Sequence, residues 1–186
     1  VMYWANGFLA QQDIVAEFHE AIARLPELDP YTLTLSTLSN DQVVYLACRN
    51  SQSPLGFTFR IGMQLPAVFT ATGKMMLSAL SAAEVQALLP QFPPPYTERS
   101  VQSHTELADE LAGCRRQGYA LDDGQLRRGM HCFGTAVFDH AGQARFGVAA
   151  SLIEAEADEK TRQHLVDGLK KLAAQLTRTL GGQLPA

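Results

Sequence analysis

The sequence predicts an α+β fold, an antiparallel sheet flanked by helices, and three observations carry that reading. Apolar residues recur at steps of three and four near both ends of the 186-residue chain, the stripe of an amphipathic helix. Between those ends, several segments switch to a period of two. Short turns join some of them in pairs, so the strands pair antiparallel and the helices must cover one or both faces. No internal repeat or flexible linker divides the chain, and its length suits one domain.

The first helix is expected over 11–25, with Val15, Phe18, Ile22 and Leu25 as its stripe and Pro26 and Pro30 as its stop. Tyr31, Leu33, Leu35 and Thr37 alternate with Thr32, Thr34 and Ser36 in a first strand. Ser39-Asn40-Asp41 supplies turn chemistry, and Val43 to Ala47 returns. Gly56 to Ile61 reads as a third strand. Thr70 to Leu77 reads as a helix, and Ser81-Ala82-Ala83-Glu84 is a capping box that opens another through Leu89. The prolines in Gln91 to Tyr96 exclude helix and central strand, so a surface loop is expected. A helix follows from Thr105 to Gln117, stopped by Gly118. Cys132 to Phe138 and Arg145 to Leu152 form a hairpin around Asp139 to Gln143, and a last helix runs from about Glu156 to Leu180 on a leucine stripe.

Composition excludes several classes. A net charge of −4 and 46% hydrophobic residues give neither a broad cationic surface for phosphates nor a disordered chain. No apolar run approaches the ~20 residues of a membrane span, and the opening Val1-Met2-Tyr3-Trp4 is no signal peptide. Cys48, Cys114 and Cys132 are an odd count at wide spacing, which predicts reduced thiols and a cytoplasmic protein with no membrane partner.

Few motifs carry chemistry. Gly73-Lys74 is no phosphate loop, because Val68 stands where the pattern needs glycine and Met75 where it needs Ser or Thr. A helix beginning at Thr70 to Thr72 would nonetheless present free N–H groups that favour an anion, unless Thr70 or Thr72 caps it with water. His131 and Cys132 are neighbours on a strand and point to opposite faces, so they make a poor catalytic pair. No cysteines or histidines have metal-ligand spacing, and no cofactor is implied. Asp122-Asp123 reads as exposed turn carboxylates, and Arg127-Arg128 as a solvated or ion-paired face.

The stretch Arg60 to Leu77, with Leu65-Pro66 and Ala71-Thr72-Gly73-Lys74, resembles a segment of IclR-type transcriptional regulators. Gly118-Tyr119-Ala120-Leu121-Asp122-Asp123, then Gly129, Val137-Phe138-Asp139 and Gly142, are similar to that family's later signatures in order and spacing. The resemblance implies a GAF- or profilin-like effector-binding domain over 11–182, a linker stub over 1–10 and a tail over 183–186. It implies a small-molecule carboxylate as effector, DNA contacted only through an absent amino-terminal winged helix-turn-helix, and a homodimer or tetramer. Carried over by position, the pocket would use Phe57 and Leu65 as an apolar wall and Ala71, Thr72 and Gly73 as N–H donors. Met130 and Cys132 would stand on one strand, Ala149 and Ser151 on the next.

This chain departs from the family pattern in three places: Ala149 replaces a common serine, Gln125 a common glutamate and Ala136 a common proline. One hydroxyl fewer and the Phe57 ring suggest a larger, less polar effector than glyoxylate or pyruvate, such as an aromatic carboxylate. Two rivals remain: a small thiol-dependent enzyme using Cys132, and a GAF-like regulatory module of a signalling protein.

Overall fold

The computed structural model describes residues 14–52 and 56–184. The expected linker stub over 1–10, the first three positions of the first expected helix, and the end of the tail lie outside the described residues. Six strands form one antiparallel sheet in the order β3-β2-β1-β6-β5-β4. They are β1 Thr32–Ser39, β2 Gln42–Arg49, β3 Gln64–Pro66, β4 Ala120–Asp122, β5 Met130–Phe138 and β6 Ala144–Ile153. The α+β expectation holds.

Helices cover both faces. On one side lie α1, residues 14–23, and α5, Glu159–Thr179. Ile14, Phe18 and Ile22 of α1 meet Leu165, Leu169, Leu172 and Leu176 of α5 over Leu33, Leu35, Phe133, Val137 and Val148 of the sheet. On the other side lie α2 Ala71–Ser78, α3 Ala82–Leu88 and α4 His104–Gln117. The expected caps form: Ser81 and Glu84 close a capping box, and Gly118 ends α4 in the left-handed conformation at φ 72°. The Asp139–Gln143 hairpin is also as expected, with Gly142 at φ 72° and Asp139 Oδ1 accepting from two amides of the turn.

Three expectations need correction. Residues 56–61 are not a strand. Their backbone is held by side chains instead: Thr32 donates to the Phe57 carbonyl, and Asn50 both accepts from the Phe59 amide and donates to its carbonyl. The third strand begins later, at Gln64. A short strand, β4, follows Gly118 and pairs with β5 at the opposite edge; three residues are too few for an alternating pattern to register. The last helix starts at Glu159, capped by Asp158, after a 3-10 turn over Glu154–Glu156.

Candidate functional site

α2 lies closer to the sheet than side chains normally permit. A Cβ on Gly147 would sit 2.6 Å from the Thr72 Cβ, and one on Gly134 would sit 2.9 Å from the Thr72 amide nitrogen. Glycine on adjacent strands therefore lets the first turn of α2 rest on the sheet backbone. Thr70 caps that turn, its hydroxyl accepting from the Gly73 N–H at 3.1 Å. The Gly73 amide is thus not free, contrary to expectation. The N–H groups of Ala71 and Thr72 find no acceptor among the described residues.

Ala71 and Thr72 border a small cavity. Thr34, Tyr45, Thr70, Ala71, Thr72, Asp122, Leu126, Cys132, Ala149 and Ser151 line it. Its volume is about 10 Å³, room for a single water. Strand register explains the grouping: Thr34 pairs with Ala149, and Cys132 with Ser151, so alternate residues of β1, β6 and β5 converge under α2. Ser36 donates to the Thr72 hydroxyl at 2.8 Å, and Cys132 Sγ lies 3.0 Å from Ser151 Oγ.

Five of the nine expected residues meet here: Ala71, Thr72, Cys132, Ala149 and Ser151. Phe57, Leu65, Gly73 and Met130 do not line the cavity. Phe57 lies under the Arg127 guanidinium, 5.2 Å from its ring centre. Leu65 pairs with Val43 on the edge strand, and Met130 pairs with Ile153 where β5 begins.

Asp122 is the residue that sequence reasoning misplaced. It is fully buried, not an exposed turn carboxylate. Its Oδ1 accepts from the amides of Gly124, Gln125 and Leu126 at 3.2, 2.7 and 3.3 Å, the fold of an Asx turn. Its Oδ2 is buried with no partner. Burial raises the carboxyl from the ordinary 3.8 to about 6, while Lys74 and the three amides pull it back. Its position at the end of a short strand was the missed signal.

Behind the cavity runs a polar network. Lys74, 1% exposed, places Nζ 2.6 Å from Glu110 Oε2 and 3.2 Å from the Leu121 carbonyl. Gln125 Nε2 donates to the other Glu110 oxygen at 2.8 Å, and Gln125 Oε1 accepts from Val101 N–H. An amide at 125 suits this place, since a glutamate would set two carboxylates together. The network ties α2, α4 and the Asp122 turn into one body.

Cys132 is a poor nucleophile. Burial, first, and then Asp122 push its thiol well above the usual range. His131 points to the opposite face, toward Glu154 at 3.7 Å, and desolvation lowers its basicity. The Cys48, Cys114 and Cys132 thiols are free. No group of three His, Cys, Asp or Glu among the described residues is placed to hold a metal, and no described helix is long and apolar enough to cross a membrane. Arg128 pairs with Glu98 at 2.6 Å, both exposed, as the solvated-face reading expects.

Comparison with known proteins gives a consistent answer. Residues 6–178 match the family model described as bacterial transcriptional regulator IclR C-terminal. The HTH-type transcriptional regulator KdgR of Escherichia coli K12 is 28% identical over 93% of this chain and 66% of its own length. XynR of the same organism is 31% identical over 66% of this chain and 49% of its own length. The chain thus spans about half to two thirds of these curated relatives. Among solved structures, the Agrobacterium tumefaciens repressor BlcR superposes with a TM-score of 0.88 at 48% identity, over 98% of this chain and 73% of that one. The C-terminal domain of E. coli KdgR gives 0.82 at 27% identity, over 91% of this chain and 99% of that one.

Proposed function

The chain belongs to the IclR family of bacterial transcriptional regulators, in the part that forms their C-terminal domain, and on that premise we propose that it senses a small carboxylate in the cavity under α2. The observation that carries this reading is the buried, unpartnered Asp122 Oδ2 beside two acceptor-free amides. A buried polar group without a partner is destabilising by about 1–3 kcal/mol, which a ligand can recover. The ligand's carboxylate accepts from Ala71 N–H, Thr72 N–H and the Ser151 hydroxyl. Asp122, made easier to protonate by burial, donates from Oδ2 as a neutral acid or accepts from a ligand hydroxyl as an anion.

A volume of about 10 Å³ is too small for any carboxylic acid, so the cavity must widen on binding. Leu126 forms one wall, on a turn between Gly124 and Gly129 at φ 96° and 74°. The small volume and the displaced Phe57 ring favour a short acid over an aromatic one, which would have to open the cavity further. The domain is no enzyme in this reading; it passes the bound state to a DNA-binding winged helix-turn-helix in a cytoplasmic dimer or tetramer.

Calorimetric titration with acids from two carbons to aromatic ring size, repeated from pH 8 to pH 5.5, tests the proposal. A short acid is expected to bind, about tenfold more weakly to Ser151→Ala (about 1.4 kcal/mol). If Asp122 donates, affinity rises as pH falls through about 6, and Asp122→Asn binds without that dependence. If Asp122 accepts from a hydroxyl, Asp122→Asn weakens binding. Absence of binding by every acid, or turnover of one that Cys132→Ser abolishes, defeats the reading.

A further inference from the structure

A larger hollow than the one under the first turn of α2 lies elsewhere in the molecule. A cleft of about 510 Å³ opens where the two helical layers meet, between the last turns of α2 and α4, the β5–β6 hairpin and α5. It shares no lining residue with the smaller cavity. Its size falls within the range of small-molecule sites, about 300–1,000 Å³.

The cleft combines apolar and cationic side chains. Met75, Ala136, Phe138 and Ala173 give it an apolar floor. Arg115, near the close of α4, and Lys170 of α5 also line it. No carboxylate pairs with either among the described residues. Both are held in place by main-chain oxygens. Arg115 Nε donates to the Ser78 carbonyl at 2.6 Å, and Lys170 Nζ to the Gln117 carbonyl at 2.9 Å. An ammonium has three donors and a guanidinium five, so both keep N–H groups to spare. The carbonyls thus fix two cations beside an apolar trough without neutralising them.

We propose that this cleft is a second ligand site, for an amphipathic anion. An acid head group sits at Lys170 and Arg115, and an aliphatic or aromatic body lies on Met75, Ala136 and Phe138. Charge complementarity selects the head, because both cations are exposed and neither has a carboxylate partner among the described residues. Burial of apolar surface supplies the affinity, at about 25 cal/mol per Å² removed from water.

Decanoate is the probe. Titrated calorimetrically into the 186-residue chain below its micellar concentration, it is expected to bind with one-to-one stoichiometry. Lys170→Glu reverses the head-group charge and weakens binding at least tenfold. Ala79→Trp, at an exposed position on the rim, lays an indole across the cleft and abolishes binding while leaving the circular dichroism unchanged. Ser151→Ala leaves decanoate affinity unchanged. No heat at millimolar decanoate, or equal binding by Lys170→Glu and Ala79→Trp, overturns the proposal. So does loss of binding in Ser151→Ala, which would place the acid in the cavity under α2. An Ala79→Trp chain that changes its sedimentation without any decanoate binding would make the cleft an interface between copies, and would also overturn it.

Discussion

The two faces of the sheet are built from the same strands and differ in kind. Under α1 and α5 the contacts are apolar almost throughout, with Phe133, Val137, Val148 and Ala150 meeting the leucines of α5. Under α2 the alternate residues of those strands include Thr34, Ser36, Cys132 and Ser151, all buried, with Asp122 and Lys74 beside them. A face that only had to hold the fold together would gain from apolar side chains there, because buried polar groups contribute only when fully paired. The first face is organised for stability. The second gives up part of that stability to keep hydrogen-bonding groups beneath a helix end.

That contrast can be broken from either side. The largest effect is expected on the dry face: Leu172→Ala, at a fully buried position, should lower unfolding free energy by about 3–4 kcal/mol. Denaturant melts would show it, and affinity for the acid should stay within twofold. Next comes Gly147→Val, whose side chain would strike Thr72. Overpacking of this kind is destabilising by about 1–3 kcal/mol, and lifting α2 off the sheet should also remove most of the acid affinity. A variant that loses stability but keeps full affinity would show that the close approach of α2 does not shape the site.

Asp122→Asn should act in the opposite direction, and only above the acid range. A carboxyl raised to about 6 by burial binds its proton more tightly in the folded chain than in the unfolded one. The ionised form is therefore penalised: the penalty is absent below the ordinary 3.8, grows as pH rises, and is complete above about 6. Relative to the parent, Asp122→Asn should gain up to about 3 kcal/mol in thermal or chemical melts between pH 3.5 and pH 7.5. A flat difference across that range would show that Lys74 and the three amides fully offset the burial.

Local signals decided which parts were legible beforehand. Ser81 with Glu84, Gly118 after α4 and the leucine spacing of α5 each concern residues within a turn or two of one another, so the chain states them directly. The strand alternation of Tyr31 to Thr37 likewise survived. The stretch over 56–61 failed because its backbone partners are side chains of Thr32 and Asn50, and no local pattern reports a partner on another strand. Of the nine expected pocket residues, Ala71, Thr72, Cys132, Ala149 and Ser151 line the cavity, as strand register and resemblance led one to expect, while Phe57, Leu65, Gly73 and Met130 lie outside its lining.

The order of elements, the helix ends, the faces of the strands and the family signatures were fixed by the chain's own sequence, because propensity, capping and side-chain period act over a few residues. Burial of Asp122, the small volume under α2 and the cleft beyond it were decided only in three dimensions. The volume under α2 depends on how closely that helix approaches the strands, and glycines at 134 and 147, about 60 to 75 positions away, permit that approach.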